Sequence, residues 1–168
     1  MDNLFKKMKT KLDLYQFAEI QNLDSTEFKT SPYDARYILP TNELKDYVKS
    51  IIPLPESEPK EIIFQILKNS PNTVYKTHID AIRFCAINTL ISLPDDDHIF
   101  EMIDVDGNIV QPNYNGNHLV PFLINVEQKH GVQNKSSSNT RYILSIGFFI
   151  KKYDYNFLYN WFKTCNMI

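Results

Sequence analysis

The chain has 168 residues, enough for one domain with one core, and its 43% hydrophobic and 13% aromatic content suits a folded globular protein. A net charge of −2 gives no global attraction to nucleic acid, and the two cysteines, Cys85 and Cys165, are too few for a disulfide framework. No apolar run reaches the roughly 18 residues of a membrane span, and the four lysines between Met1 and Lys11 are followed by no apolar stretch, so no secretory leader is read and a cytoplasmic location is expected. Both cysteines are expected as buried thiols.

Residues 1–40 are mixed, with turn signals at Ser31-Pro32 and Leu39-Pro40. Thr41 reads as the N-cap of a helix over Asn42 to Ile51, with Glu43 in its first turn and Leu44, Val48 and Ile51 at helical spacing; Pro53 and Pro55 end it. From residue 61 the pattern changes to short strands. Ile62 to Leu67, Thr73 to Ile79, Phe84 to Leu93, Ile99 to Val105, Asn108 to Val110, Leu119 to Val126 and Arg141 to Ile150 all read as strands, and Asp106-Gly107 marks a hairpin. Tyr155 to Thr164 reads as a closing helix. Its aromatic cluster, Tyr153, Tyr155, Phe157, Tyr159, Trp161 and Phe162, is expected in core or interface packing. The order predicts a single, mainly β domain: helical and strand support over 1–60, a β core over 61–150 and a C-terminal helix over 151–168. A β-sandwich or jelly roll with flanking helices accommodates this many short strands.

Three separated segments carry chemistry. In Thr77-His78-Ile79-Asp80, residues two apart on a strand share a face, so His78 and Asp80 can aim an imidazole and a carboxylate at one point. His130, from a distant strand, can add a third ligand. Two histidines and one carboxylate on one face of an octahedron leave the remaining positions open, the arrangement of non-haem Fe(II) oxygenases. Arg141 then lies inside an apolar strand, where an arginine needs an anionic partner. Ser145 is four residues on and shares its face, so guanidinium and hydroxyl can grip a carboxylate.

These residues resemble the 2-oxoglutarate/Fe(II)-dependent dioxygenases, in particular the prolyl-hydroxylase-like branch and its small phage and microbial relatives. In that family an HxD pair, a distal histidine and a downstream arginine occur in this order on a double-stranded β-helix. The resemblance runs from Val74 to Phe148. Ile143 stands where another branch has serine two after the arginine, which favours the prolyl-hydroxylase-like one. The resemblance implies iron on His78, Asp80 and His130, and 2-oxoglutarate with its far carboxylate on Arg141, helped by Ser145. With O2 these yield succinate, CO2 and a hydroxylated small molecule or peptide. The alternative is a cupin-like, non-catalytic binding module on the same β fold.

Other residues keep two readings. His98 and His118 are rival third ligands, but each lies further from Arg141 than the family spacing. Arg83 either faces substrate or pairs with a loop carboxylate. Asn88, within an apolar strand, either touches the co-substrate or satisfies neighbouring backbone. Tyr75 could donate to 2-oxoglutarate, but its odd spacing from His78 puts it on the opposite face of a regular strand. Between Thr77 and Gln128, Arg83 stands alone against Asp80, Asp95, Asp96, Asp97, Glu101, Asp104, Asp106 and Glu127. That predicts a negative rim, a neutral or cationic substrate, and no nucleic-acid or membrane partner.

Overall fold

The structure, a computed structural model, describes residues 4–31, 35–92 and 98–168, the side chains of His98 and Asn115 excepted. Two antiparallel sheets form the body. The larger is built from β1 (Phe5–Lys7), β9 (Pro121–Ile124), β6 (Cys85–Leu90), β11 (Arg141–Phe148), β4 (Ile62–Asn69), β3 (Arg36–Ile38) and β2 (Lys29–Thr30), in that order. The smaller is built from β5 (Thr73–His78), β10 (His130–Asn134), β7 (His98–Ile103) and β8 (Ile109–Val110). This is the expected jelly roll.

Its central strands are covered on both sides. Every residue of β6 and β11 is buried, which is why they read as continuous apolar runs. On the outer face of the large sheet, Phe64, Ile66, Ile87, Leu144, Ile146 and Phe148 pack against α1 (Asn42–Ile51) and α2 (Tyr155–Thr164) through Leu44, Val48, Leu158 and Phe162. On the inner face, Ala86, Leu90, Phe122, Ile124 and Ile143 meet Phe100 and Met102 of the small sheet. Both helices start where their caps stand. Thr41 Oγ1 accepts from the Leu44 backbone N–H at 3.3 Å, and Asp154 Oδ1 from that of Phe157 at 3.0 Å. The Asp106-Gly107 hairpin forms, with Gly107 at φ +83° and the Asp104 carboxylate accepting from the backbone N–H groups of Asp106 and Asn108.

Four strands were expected only in outline, without bounds. β1, β2 and β3 belong to the support over residues 1–60, where runs of two or three residues are too short to show an alternating pattern. β10 carries His130-Gly131-Val132-Gln133-Asn134, a largely polar run in which His130, Gly131 and Asn134 are buried and Val132 and Gln133 half-buried, with strands flanking it on both sides. Cys85 is buried, but Cys165 is only half-buried, and both are free thiols. No helix among the described residues is long and apolar enough to cross a membrane.

Candidate active site

His78 closes β5 and His130 opens β10, and the two are direct cross-strand partners. Asp80 follows two residues later and is pinned by its backbone N–H, which donates to the Val126 carbonyl at 3.2 Å. Nε2 of His78 lies 3.4 Å from Asp80 Oδ1, and Nε2 of His130 lies 3.7 Å from the same oxygen. One ligand atom from each residue falls within 4.8 Å of the others. Metal bonds of about 2.1 Å at right angles put neighbouring ligand atoms about 3 Å apart, so a small contraction closes the set on a cation.

The tautomers suit a metal. Nδ1 of His78 donates to the Lys76 carbonyl at 2.8 Å, and Nδ1 of His130 to that of Gln128 at 2.9 Å. Each ring thus turns Nε2 towards the Asp80 oxygen, and with the Nδ1 proton engaged by a carbonyl Nε2 is the atom placed to ligate. Burial holds the His130 pKa below its ordinary value, which keeps the ring neutral and ligating.

Arg83 fixes the carboxylate. Its Nε donates to Asp80 Oδ2 at 2.6 Å, leaving Oδ1 for the histidine side, and its Nη1 donates to Ser145 Oγ at 3.3 Å. Of its two readings, the carboxylate pairing is the one observed, and the carboxylate is the proposed metal ligand itself. Gly147 makes room for it: a Cβ there would stand 2.9 Å from Arg83 Cδ and 2.7 Å from the Phe149 ring. Ser145 shares the inner face with Arg141 as expected, but its hydroxyl meets Arg83 and not Arg141. Four residues of strand span about 13 Å, too far for one short grip.

Arg141 is 4% exposed, and its Nη1 donates to Asn69 Oδ1 at 2.9 Å. Its guanidinium carbon lies 5.9 Å from the centroid of the Tyr114 ring. Among the described residues no carboxylate pairs with it, and burial pulls its pKa down to about 10, still charged at neutral pH. Beside it, Asn88 Oδ1 is buried without a hydrogen-bond partner, and the Tyr114 hydroxyl is buried with the Asn88 side chain as its polar neighbour, too poorly aligned for a good hydrogen bond. Asn88 thus does not satisfy neighbouring backbone through that oxygen. Sequence reasoning missed Asn69, Tyr114 and also Asn134, a fully buried amide that donates to the carbonyls of Asn69 and Asn139 and ties the β4–β5 turn to the approach of β11. The one available signal was an asparagine at the end of the apolar run into β4.

Tyr75 requires a correction. The pairing of β5 with β10 shifts register between His130–His78 and Val132–Tyr75, so β5 carries one extra residue there. This bulge puts Tyr75 and His78, three apart, along the same cavity. His118 bonds the Ile91 carbonyl through Nε2 at 2.8 Å and stays away from the triad; the His98 side chain lies outside the described residues.

The cavity joining these groups has a volume of about 640 Å³. Among the described residues its charged lining is Arg36, Lys68, Lys76, Arg83 and Arg141 against Asp80, besides the two histidines. The expected negative rim is therefore absent from the described lining. The Thr77 hydroxyl donates to Glu101 on the outer side of the small sheet, Asp104 and Asp106 belong to the β7–β8 turn, and Glu127 pairs with Lys151. Asp95, Asp96 and Asp97 lie outside the described residues.

No family model and no curated protein matches the sequence. Solved structures do. A prolyl-4-hydroxylase from Pseudomonas putida aligns over 89% of this chain and 94% of its own, at TM-score 0.61 and 14% identity. A prolyl hydroxylase from Trichoplax adhaerens, in complex with a peptide fragment of the hypoxia inducible factor oxygen degradation domain, aligns over 89% and 85%, at TM-score 0.65 and 13% identity. HygX from Streptomyces hygroscopicus, with nickel, 2-oxoglutarate and hygromycin B bound, aligns over 91% and 86%, at TM-score 0.54 and 11% identity. The chain has the double-stranded β-helix fold of the 2-oxoglutarate/Fe(II) oxygenases.

Proposed function

We propose that the protein is an Fe(II)/2-oxoglutarate-dependent oxygenase, a hydroxylase of a small molecule or peptide. One observation carries the reading. Two imidazoles and a carboxylate bring one ligand atom each within 4.8 Å of one another, and the same cavity holds a buried guanidinium with no carboxylate partner among the described residues. The first feature fits a divalent iron with open positions, and the second fits the far carboxylate of a dicarboxylic co-substrate. The donors present suit both groups.

His78, Asp80 and His130 would hold the iron. With 2-oxoglutarate and O2 bound, the iron supplies the oxidising power, and succinate and CO2 leave. The rest is the work of the chain. Arg83 holds Asp80 Oδ2 so that one oxygen alone turns inward. Arg141 receives the distal carboxylate. Tyr75 lines the same space. Phe100, Val132 and Ile143 line it with apolar surface and exclude water. The prolyl hydroxylases and HygX share this fold, which supports a peptide or small-molecule substrate.

Anaerobic titration tests the reading. Fe(II) with 2-oxoglutarate is expected to give a weak visible charge-transfer band. His78→Ala, Asp80→Ala and His130→Ala each lose metal uptake, measured independently with Co(II). A band that never forms although Co(II) binds would point instead to a metal-binding module without turnover.

A further inference from the structure

We propose that the substrate of this site is a small molecule with an apolar body and one anionic group, a carboxylate or phosphate, received at the cavity mouth by Arg36 and Lys76. The proposal takes the position of the metal from the oxygenase reading; the anion-binding lip does not depend on it.

The charges at the two ends of the cavity have different fates. Asp80 is paired with Arg83, and Arg141 is buried at the far end with Asn69. That leaves Arg36 on β3, Lys68 on β4 and Lys76 on β5, where an edge strand of the small sheet approaches the large one. The same three cations also line an adjoining cavity of about 380 Å³, with Ser70 and Thr73 adding two hydroxyls and no carboxylate among the described residues. Arg36 and Lys76 make no ion pair with a described residue. Lys68 is spent elsewhere: its ammonium lies 5.1 Å from the Phe28 ring centre and 5.8 Å from that of Tyr142, on the outer face of the large sheet, which leaves the anion to Arg36 and Lys76.

The other lip is apolar. Ile79 and Ile82 flank Asp80, line the cavity and are 53% and 63% exposed. Two isoleucines left in water beside the proposed metal ligands suit a hydrocarbon surface passing between them. The volume of about 640 Å³ falls within the usual range for small-molecule sites. A polyanion would need cations spread along a track; here they gather at one lip, so a single anionic group fits.

Calorimetry on the full chain, loaded with Co(II) and 2-oxoglutarate so that Arg141 is occupied and no turnover occurs, compares octanoate, octyl phosphate and octanamide. The two anions are expected to bind about tenfold tighter than the amide, an advantage that shrinks at high salt. The double variant Arg36→Gln/Lys76→Gln should abolish that advantage and leave the octanamide and Co(II) affinities unchanged, which also shows that it has folded. Ile82→Ser should weaken all three ligands alike. Equal binding of amide and anions by the wild type, or an advantage that survives the double variant, overturns the proposal. So does a single-stranded DNA 12-mer that displaces octyl phosphate and binds more tightly. If the wild type takes up no Co(II), the metal reading has failed, and the same comparison on metal-free protein carrying Arg141→Gln still decides the anion lip.

Discussion

Arg141 carries a cost that the ligand-free fold does not recover. A guanidinium moved from its ordinary pKa to about 10 by burial represents roughly 3 kcal/mol of unfavourable burial. Arg141→Met is therefore expected to raise the stability of the ligand-free protein by about 1–2 kcal/mol in urea unfolding, after subtracting the donor lost to Asn69. The same variant should lose 2-oxoglutarate binding and keep Co(II). Arg141→Lys should restore co-substrate binding only in part, because lysine lacks the planar fork. His130 makes a second prediction at this scale. Burial lowers its folded pKa, so the unfolded chain binds the proton more readily. Stability from the neutral ring is fully present above the unfolded value of about 6.5 and is lost as pH falls through the lower folded value. In the metal-free protein, stability should drop on going from pH 7 to pH 5, and His130→Gln should flatten that slope. An unchanged slope in the variant would assign the pH dependence to other groups.

Elements turn these residues into a site, and here the sequence was legible unevenly. The HxD pair, the distal histidine and the buried arginine were readable because each demands a chemical partner. The central strands were readable because burial on both faces leaves a continuous apolar run. β10 was not, since Gly131, Gln133 and Asn134 owe their place to β5 and β7 on either side. Arg83 kept two readings because a residue three beyond Asp80 lies past the strand, where alternation no longer says which way it points. The acidic count misplaced two of its members for a related reason: closeness in sequence to Asp80 does not put Glu101 or Glu127 on the cavity side. Gly147 is the element-scale test of the Arg83 cradle. Gly147→Ala places a methyl 2.9 Å from Arg83 Cδ and 2.7 Å from Phe149. It should weaken Co(II) binding several-fold by loosening the grip on Asp80, while Ser145→Ala, which removes only the weaker bond to Arg83, should do less.

At the scale of the whole molecule, the first 60 residues help to build the sheet that holds the site. β1 closes one edge against β9, and Leu4, Met8 and Leu12 are at most 4% exposed. Each such side chain contributes about 2 kcal/mol by burial, so removing residues 1–12 is expected to cost on the order of 5 kcal/mol, comparable with the total stability of a domain this size. Circular dichroism melts of the truncated chain would check it; an unchanged melting temperature would mean that β1 is dispensable. At the opposite edge β3 brings Arg36 to the cavity mouth. The N-terminal segment thus seals one edge of the large sheet and supplies part of the recognition surface near the other.

The extra residue in β5 sets the phase of the strand. A regular strand is a two-beat rhythm, and one inserted beat makes everything before it swap sides relative to everything after it. Tyr75 stands on the cavity side because Lys76 and Thr77 together fill the interval that Gly131 fills alone opposite. Deleting Thr77 would restore the regular beat while leaving the three ligand side chains in the sequence, although the Lys76 carbonyl that orients the His78 ring would have to be re-found. His78, Asp80 and His130 would stay in step with one another, while Tyr75 turned outward and Val74, now 59% exposed, turned in. The phase of β5 before the bulge therefore sets the lining, and its phase after the bulge sets the metal ligand.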